Sequence, residues 1–293
     1  MSEGARRRNK LSNLCNTAVD STVKPLVFAN FLAPNMTATY AFVAAAIGQR
    51  LDVATTYFEG TDVEQLLDGS VDVAFLCGLP YIRLCQERPG AVRPLAAPVI
   101  DEPRYQDRPV YFSDVIVRRD SPYRSFADLR GKSWAYSRED SFSGCLLIHY
   151  QLSQMGEHEA FFGQVSYSGW HQESIRLVLA GELDASAIDS HVLGVECLQD
   201  PDLTQKLRVV ASFGPSTIPP VVAGAGVNDE MHARIRHAFC EIGTDSHGRK
   251  ALARGLIRRF NPIDDRAYDD IRQKMAVVDN SVRPGTEFAG RGA

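Results

Sequence analysis

The alternation of short apolar runs with longer amphipathic segments is the feature that most restricts how this chain can fold. It continues over most of the 293 residues. Strands separated by segments of helical length predict βαβ units with right-handed crossovers. The sequence therefore predicts an α/β fold of largely parallel sheets flanked by helices. The predicted strands are Leu26–Phe31, Asp52–Tyr57, Val71–Cys77, Tyr111–Arg118, Lys132–Tyr136, Gln164–Ser168, Asp184–Ile188, Leu207–Ser212 and Pro220–Ala225.

The length of the chain exceeds what a single core usually holds, and no extended polar linker divides it. Two strand-like segments, Tyr111–Arg118 and Ser212–Ala225, bracket a self-contained block of alternating elements. This pattern predicts two interleaved lobes joined by two chain crossings, with a ligand cleft between them. The predicted parts are a flexible leader at 1–24, a first lobe at 25–114 and 213–293, and a second lobe at 115–212.

Charge and composition narrow the possible partners. The 32 Lys and Arg residues nearly balance the 36 Asp and Glu residues, and the net charge is -4. This balance gives no basic footprint for nucleic acid, and an anion site must depend on local groups.

No apolar run reaches the roughly 18 residues of a membrane span. The basic Arg6–Arg8 cluster is not followed by an apolar run, so no export signal is predicted, and six scattered cysteines suggest reduced thiols in the cytosol.

The segment Asp140–Cys145 is the first candidate site. It reads Asp-Ser-Phe-Ser-Gly-Cys and lies between a predicted strand and a predicted helix, Ser143–Met155. Backbone N–H groups at a helix start, together with serine hydroxyls, can hold an anion. The alternative is that Ser141 or Ser143 simply caps the helix.

Histidine and cysteine supply two further candidates. His171 also follows a strand and a glycine at a helix start, where it can donate to an anion or cap its own helix. Cys145 and His149 are four residues apart and are a candidate nucleophile and base, but no third residue orients them, and buried helix packing is the favoured interpretation. No HxH or HExxH pattern is present, so no metal and no cofactor are predicted.

Five segments in this order resemble the substrate-binding proteins of phosphate, phosphite and phosphonate ABC transporters, which have a type II periplasmic-binding-protein fold. The similarity extends from about Leu26 to Met275. The segments are Gly69–Tyr81, Ser121–Lys132, Ser141–Gly144, Gly169–Ala185 and Ile218–Pro220.

The resemblance implies two α/β lobes on a two-strand hinge that close on a small oxyanion without catalysis. It also implies a periplasmic location and an ABC permease as partner, with no membrane insertion. Its pattern gives Ser141, Phe142, Ser143 and Gly144 the role of holding phosphonate oxygens, and His171 contacts the same group. Tyr57, Tyr81 and Tyr111 would line the cleft, and Asp189 would face the far end of the ligand.

Position 142 departs from the family pattern, in which threonine is common. Phe142 removes a hydroxyl donor and adds an aromatic ring. Near His191 the family often carries an acid that pairs with an amino group of the ligand. Without that acid, the expected ligand is not an aminoalkyl phosphonate but a bare oxyanion, or an organic acid whose apolar part rests on Phe142. Two other functions stay open at this point: an enzyme on the same scaffold that uses Cys145, His149 and His171, or a cytosolic ligand-sensing module.

Overall fold

The computed structural model describes residues 24–282. The predicted leader therefore lies outside the described residues, except for Lys24, and so does Cys15. The strands are β1 Leu26–Asn30, β2 Thr55–Glu59, β3 Val73–Phe75, β4 Arg93–Ile100, β5 Val110–Arg118, β6 Ser133–Tyr136, β7 Gln164–Tyr167, β8 Ala185–Asp189, β9 Leu207–Thr217, β10 Val221–Ala223 and β11 Ile257–Pro262. The helices are α1 Thr37–Leu51, α2 Gly78–Glu87, α3 Leu147–Gln154, α4 His171–Ala180, α5 Ser190–Gln199, α6 Leu203–Lys206, α7 Asp229–Glu241, α8 Ser246–Ala253 and α9 Asp269–Val282.

The strands form two sheets, and each sheet belongs to one lobe. The first has the order β11-β4-β10-β3-β1-β2, and the second has the order β7-β6-β8-β5-β9. The chain passes from the first sheet to the second after β4 and returns after β9, so the lobes are interleaved. This confirms the two-lobed α/β fold expected from the sequence. The lobe boundaries at 114/115 and 212/213 stay a prediction.

The expectation of largely parallel sheets is wrong in detail, because both sheets are mixed. β1 pairs in parallel with β2 and β3, and β6 pairs in parallel with β7 and β8. The pairings of β10, β4 and β11 in the first sheet and of β5 with β8 and β9 in the second are antiparallel. The antiparallel pairs include the strands next to both crossings, where the chain enters each sheet from the other lobe.

Parallel pairing decides where a site can form. In such a sheet the carboxyl ends of neighbouring strands meet at one edge, and the connections to the following helices lie there. The turn after β6 and the loop after β7 therefore lie side by side: Ser168 N–H donates to the carbonyl of Tyr136 at 2.9 Å, and Gly169 N–H donates to the carbonyl of Ser137 at 2.7 Å.

No helix within residues 24–282 is long and apolar enough to cross a membrane.

Candidate ligand-binding cleft

A cleft with about 910 Å³ of empty space, open solvent at its mouth included, lies between residues of both lobes. Most of its wall is apolar. The apolar residues are Phe31, Leu32, Ala33, Met36, Val63, Leu76, Pro80, Pro98, Trp170, Val192, Ile218 and Pro219. The polar residues with the functional groups of interest are Ser137, Arg138, Asp140, Ser141, Ser143, His171, Asp189 and His191.

The turn after β6 carries the serines of the predicted cradle. Ser141 begins a single wide helical turn, Phe142–Leu146, that leads into α3. Its hydroxyl oxygen accepts the N–H of Gly144 at 3.0 Å, so Ser141 does cap this turn, as the alternative interpretation proposed. The carbonyl of Ser143 accepts the hydroxyl of Ser113 on β5 at 2.7 Å, which fixes the turn against the neighbouring strands.

His171 reaches the same cleft from the second loop. Gly169 has a φ of +86°, a backbone conformation that glycine adopts without strain, and it turns the chain from β7 into α4. His171 is the first residue of α4, and Trp170 occupies the cap position without a capping side chain. Burial lowers the pKa of His171 to about 4, although a hydrogen bond with the backbone of Ala187 opposes this shift. The Nδ1 atom of His171 is buried and has no hydrogen-bond partner among the described residues.

Asp189 and His191 also belong to the polar wall, at the start of α5. The Asp189 carboxylate accepts the N–H groups of His191 and Val192 at 2.8 and 3.3 Å and thereby caps the helix. Burial raises the pKa of Asp189 to about 7 against the opposing effect of these donors. Burial lowers the pKa of His191 to about 4. The Nε2 atom of His191 lies 2.6 Å from the carbonyl of Gly255, to which it can only donate.

The charges nearest the cleft neutralise one another. Arg138 donates two hydrogen bonds to the carboxylate of Asp140, at 2.8 and 2.5 Å. The Arg138 guanidinium also lies 5.2 Å from the ring centroid of Trp170, within cation–π range. The cleft therefore presents hydrogen-bonding groups next to the Arg138–Asp140 ion pair, in which the positive charge of Arg138 is already partnered.

Four of the predicted site residues line the cleft, and five do not. Ser141, Ser143, His171 and Asp189 line it, and the N–H of Gly144 donates to the hydroxyl of Ser141. The remaining four, which lie apart from the cleft lining, are Phe142, Tyr57, Tyr81 and Tyr111.

Each of these four aromatic residues has other contacts. Phe142 is fully buried in the core cluster of the first lobe, with its ring 6.3 Å from that of Tyr111, which is itself buried. An organic ligand cannot rest on Phe142 in this arrangement. The hydroxyl of Tyr57 donates to Glu59 at 2.8 Å. The hydroxyl of Tyr81 donates to Asp265 at 2.5 Å.

Tyr40 and Ser137 are among the cleft residues that sequence reasoning missed. Tyr40 on α1 stacks on Phe75 with ring centroids 3.8 Å apart, and its place in an apolar helix gave no sign of a binding role. Ser137 directly follows β6 and has a buried hydroxyl, and only a three-dimensional structure can show that such a group lacks a partner.

The candidate nucleophile and base are poorly suited to catalysis. Cys145 is buried in the core of the second lobe, and burial raises its pKa to about 12. A thiol with this pKa is not ionised near neutral pH, whereas a nucleophilic cysteine needs the thiolate. His149 stacks on Tyr136 at 4.9 Å, and burial lowers its pKa. Within residues 24–282 no three His, Cys, Asp or Glu side chains are grouped so as to hold a metal ion.

The mixed sheets, the double crossing and the interlobe cleft together define the two-lobed type II periplasmic-binding-protein fold. Residues 26–268 match the family model described as "ABC transporter, phosphonate, periplasmic substrate-binding protein". The chain belongs to this family.

Solved structures share the fold at low sequence identity. PhnD1 from Prochlorococcus marinus, solved in complex with methylphosphonate, has a TM-score of 0.76 at 18% identity, and the alignment covers 87% of this chain and 98% of that one. A binding protein component of an ABC phosphonate transporter from Pseudomonas aeruginosa gives 0.77 at 18% identity, with 92% and 91% covered. The aliphatic sulphonate-binding protein of Escherichia coli gives 0.60 at 16% identity, with 93% and 96% covered.

Proposed function

We propose that this chain is the solute-binding component of a phosphonate uptake system and that its lobes close on the ligand without changing it chemically. The observation that carries this proposal is the convergence of Ser141, Ser143 and His171 on one cleft. Membership of the family supports a periplasmic location and an ABC permease as partner. The buried Cys145 thiol, with its raised pKa, supports binding without turnover.

The oxyanion accepts hydrogen bonds from serine hydroxyls and lies next to the imidazole of His171. A serine hydroxyl can accept one hydrogen bond and still donate its own proton. Ser141 therefore keeps its O–H for a ligand while it accepts the N–H of Gly144. Ser143 and the unpartnered Nδ1 edge of His171 complete the set of groups on this side of the cleft. Hydrogen bonds to a charged group contribute about 1.5–3 kcal/mol each.

The substituent of the ligand is uncharged and apolar. The cleft is lined mainly by apolar side chains, among them Met36 and Trp170. Asp189 caps α5, and Asp140 is paired with Arg138, so the acidic groups of the described cleft are already engaged. An ammonium group on the ligand would lose its hydration without gaining a free carboxylate, which is costly.

Titration calorimetry with methylphosphonate, phosphite, phosphate and sulfate tests the site. The double variant Ser141→Ala/Ser143→Ala should weaken the binding of the preferred anion at least tenfold, about 1.4 kcal/mol. Ser153→Ala serves as the control, because that hydroxyl donates to the carbonyl of Tyr150 within α3. Unchanged affinity in the double variant would show that the cradle is assigned wrongly.

A second titration tests the substituent. Ethylphosphonate and 2-aminoethylphosphonate have the same acid and carbon chain, and they differ in the terminal amine. Ethylphosphonate should bind at least tenfold more tightly, because its substituent needs no charged partner. Tighter binding of the amine would mean that Asp189 or Asp140 is available to the ligand, against the contacts described above.

A further inference from the structure

The Ser-Phe-Ser-Gly turn lacks the hydroxyl that threonine commonly supplies at position 142 in the family pattern. Ser137, a serine outside the turn, lies where it can replace that hydroxyl. The Phe142 side chain points into the core of the first lobe, so position 142 contributes no side-chain donor to the cleft. Ser137, the residue that follows β6, lines the cleft from the neighbouring chain segment.

Ser137 is buried, and its hydroxyl has nothing to bond. Its side chain belongs to a residue that is 2% exposed, and its Oγ atom has no hydrogen-bond partner among residues 24–282. Buried polar groups are nearly always paired, and an unpaired one requires an explanation. A group of this kind that faces a ligand cleft is explained by a ligand that accepts its hydrogen bond.

Ser137 lies close to Gly144 and to the loop that carries His171. A Cβ atom placed on Gly144 would lie only 2.0 Å from Ser137 Oγ and 3.0 Å from Cε1 of His171. The hydroxyl and the imidazole therefore both pack against the backbone of Gly144. The carbonyl of Ser137 accepts the N–H of Gly169, which holds it against the loop that carries His171.

We propose that Ser137 is a further ligand-binding residue, which donates its hydroxyl to the oxyanion beside Ser141 and Ser143 in place of the donor that Phe142 lacks. The inference depends on the phosphonate-binding function proposed above. It also gives Gly144 a reason to be glycine, because any side chain there would displace the Ser137 hydroxyl.

The test uses the full chain and methylphosphonate as the probe. It compares two serines, Ser133 at the start of β6 and Ser137 directly after β6. Ser137→Ala should weaken binding by about 10- to 100-fold and leave the melting temperature without ligand unchanged or higher, because an unpaired hydroxyl is removed. Ser133→Ala is the matched control. The Ser133 hydroxyl exchanges hydrogen bonds with Asp184, so its loss should lower the melting temperature and leave the affinity within twofold.

The possible outcomes separate this inference from the function on which it depends. If the wild-type chain binds methylphosphonate and Ser137→Ala binds equally well, the role of Ser137 is wrong and the function stands. If the wild-type chain binds neither methylphosphonate, phosphate nor sulfate, both fail. Ser137→Cys keeps the side-chain size with a weaker donor and should also lose affinity. If both variants lose as much stability as Ser133→Ala does, the hydroxyl is structural and the inference is refuted.

Discussion

Asp189 should make the stability of this protein depend on pH in a direction unusual for a carboxylate. Its pKa is about 7 in the folded chain, against an ordinary value of 3.8. Between pH 4 and 7 the folded state therefore holds a proton that the unfolded state has released. The unfolding free energy should fall by about 1.4 kcal/mol for each pH unit gained in this window, about 4 kcal/mol in all.

Two histidines act in the opposite direction and must be separated from this effect. The pKa values of His171 and His191 are both lowered to about 4 from 6.5. Between pH 4 and 6.5 the unfolded state binds two protons that the folded state does not, so each histidine makes stability rise with pH. The wild-type curve alone is then ambiguous, and the informative quantity is the difference between the wild type and Asp189→Asn.

Asparagine retains the acceptor for the N–H groups of His191 and Val192, so the cap survives in Asp189→Asn. Urea unfolding of both proteins at half-unit steps from pH 4.5 to 8 gives the difference. The wild type should lose about 1.4 kcal/mol per unit relative to the variant up to pH 7, and the difference should level off above it.

Asp184→Asn is the control for this experiment. Burial raises the pKa of Asp184, but hydrogen bonds from Ser133 and Tyr123 outweigh burial and lower it overall. Its stabilising effect is therefore complete above pH 4 and is lost only at lower pH. The difference between the wild type and Asp184→Asn should be constant over the range in which Asp189→Asn shows a slope. A pH-independent difference for Asp189→Asn would refute the buried, protonated carboxyl.

Three further variants test individual contacts. Gly144→Ala should weaken methylphosphonate binding at least about tenfold in calorimetry, because the new Cβ would lie 2.0 Å from Ser137 Oγ and displace that hydroxyl; binding within threefold of wild type would contradict this geometry. Cys145→Ala should leave affinity within twofold and lower the melting temperature, since the side chain packs in the core of the second lobe; a product released by the wild type and lost in the variant would instead indicate catalysis. Tyr81→Phe should destabilise the chain by about 1 kcal/mol through loss of the hydrogen bond to Asp265 and leave affinity unchanged, whereas weaker binding would place Tyr81 at the ligand.

The sequence predicts most strands within two or three residues, and the two it misses have a common cause. β4 has the sequence Arg-Pro-Leu-Ala-Ala-Pro-Val-Ile, with two prolines that argue against an interior strand. β11 is short and carries two arginines and a proline. These two strands pair with each other, and β4 also pairs with β10. Strand preference depends strongly on such neighbours, which no local pattern contains.

The site was predictable where it depends on chain order and not where it depends on side-chain direction. Ser141 and His171 each follow a strand of one parallel pair, β6 and β7, so the topology alone brings them together. The direction of Tyr81 is set by Asp265 and Tyr268, which lie far along the chain. Phe142 was expected in the cleft for the same reason as its neighbours, but the wide turn directs it into the core.

The paired charges of the cleft lead to one more expectation. A chain with net charge -4 does not attract anions as a whole, and Arg138 is neutralised by Asp140. His171 and His191 are uncharged near neutral pH because their pKa values are lowered. Affinity must then come from short-range hydrogen bonds, which salt screens weakly.

An increase in sodium chloride from about 20 mM to about 500 mM covers the range in which screening changes most. At about pH 7.5, this increase should alter the dissociation constant for methylphosphonate less than about threefold. Sodium gluconate as the salt separates screening from competition by chloride. A rise of tenfold or more in both salts would mean that a net positive field attracts the ligand. In that case Arg138 must leave Asp140 when the ligand binds, and Arg138→Gln should remove the salt dependence.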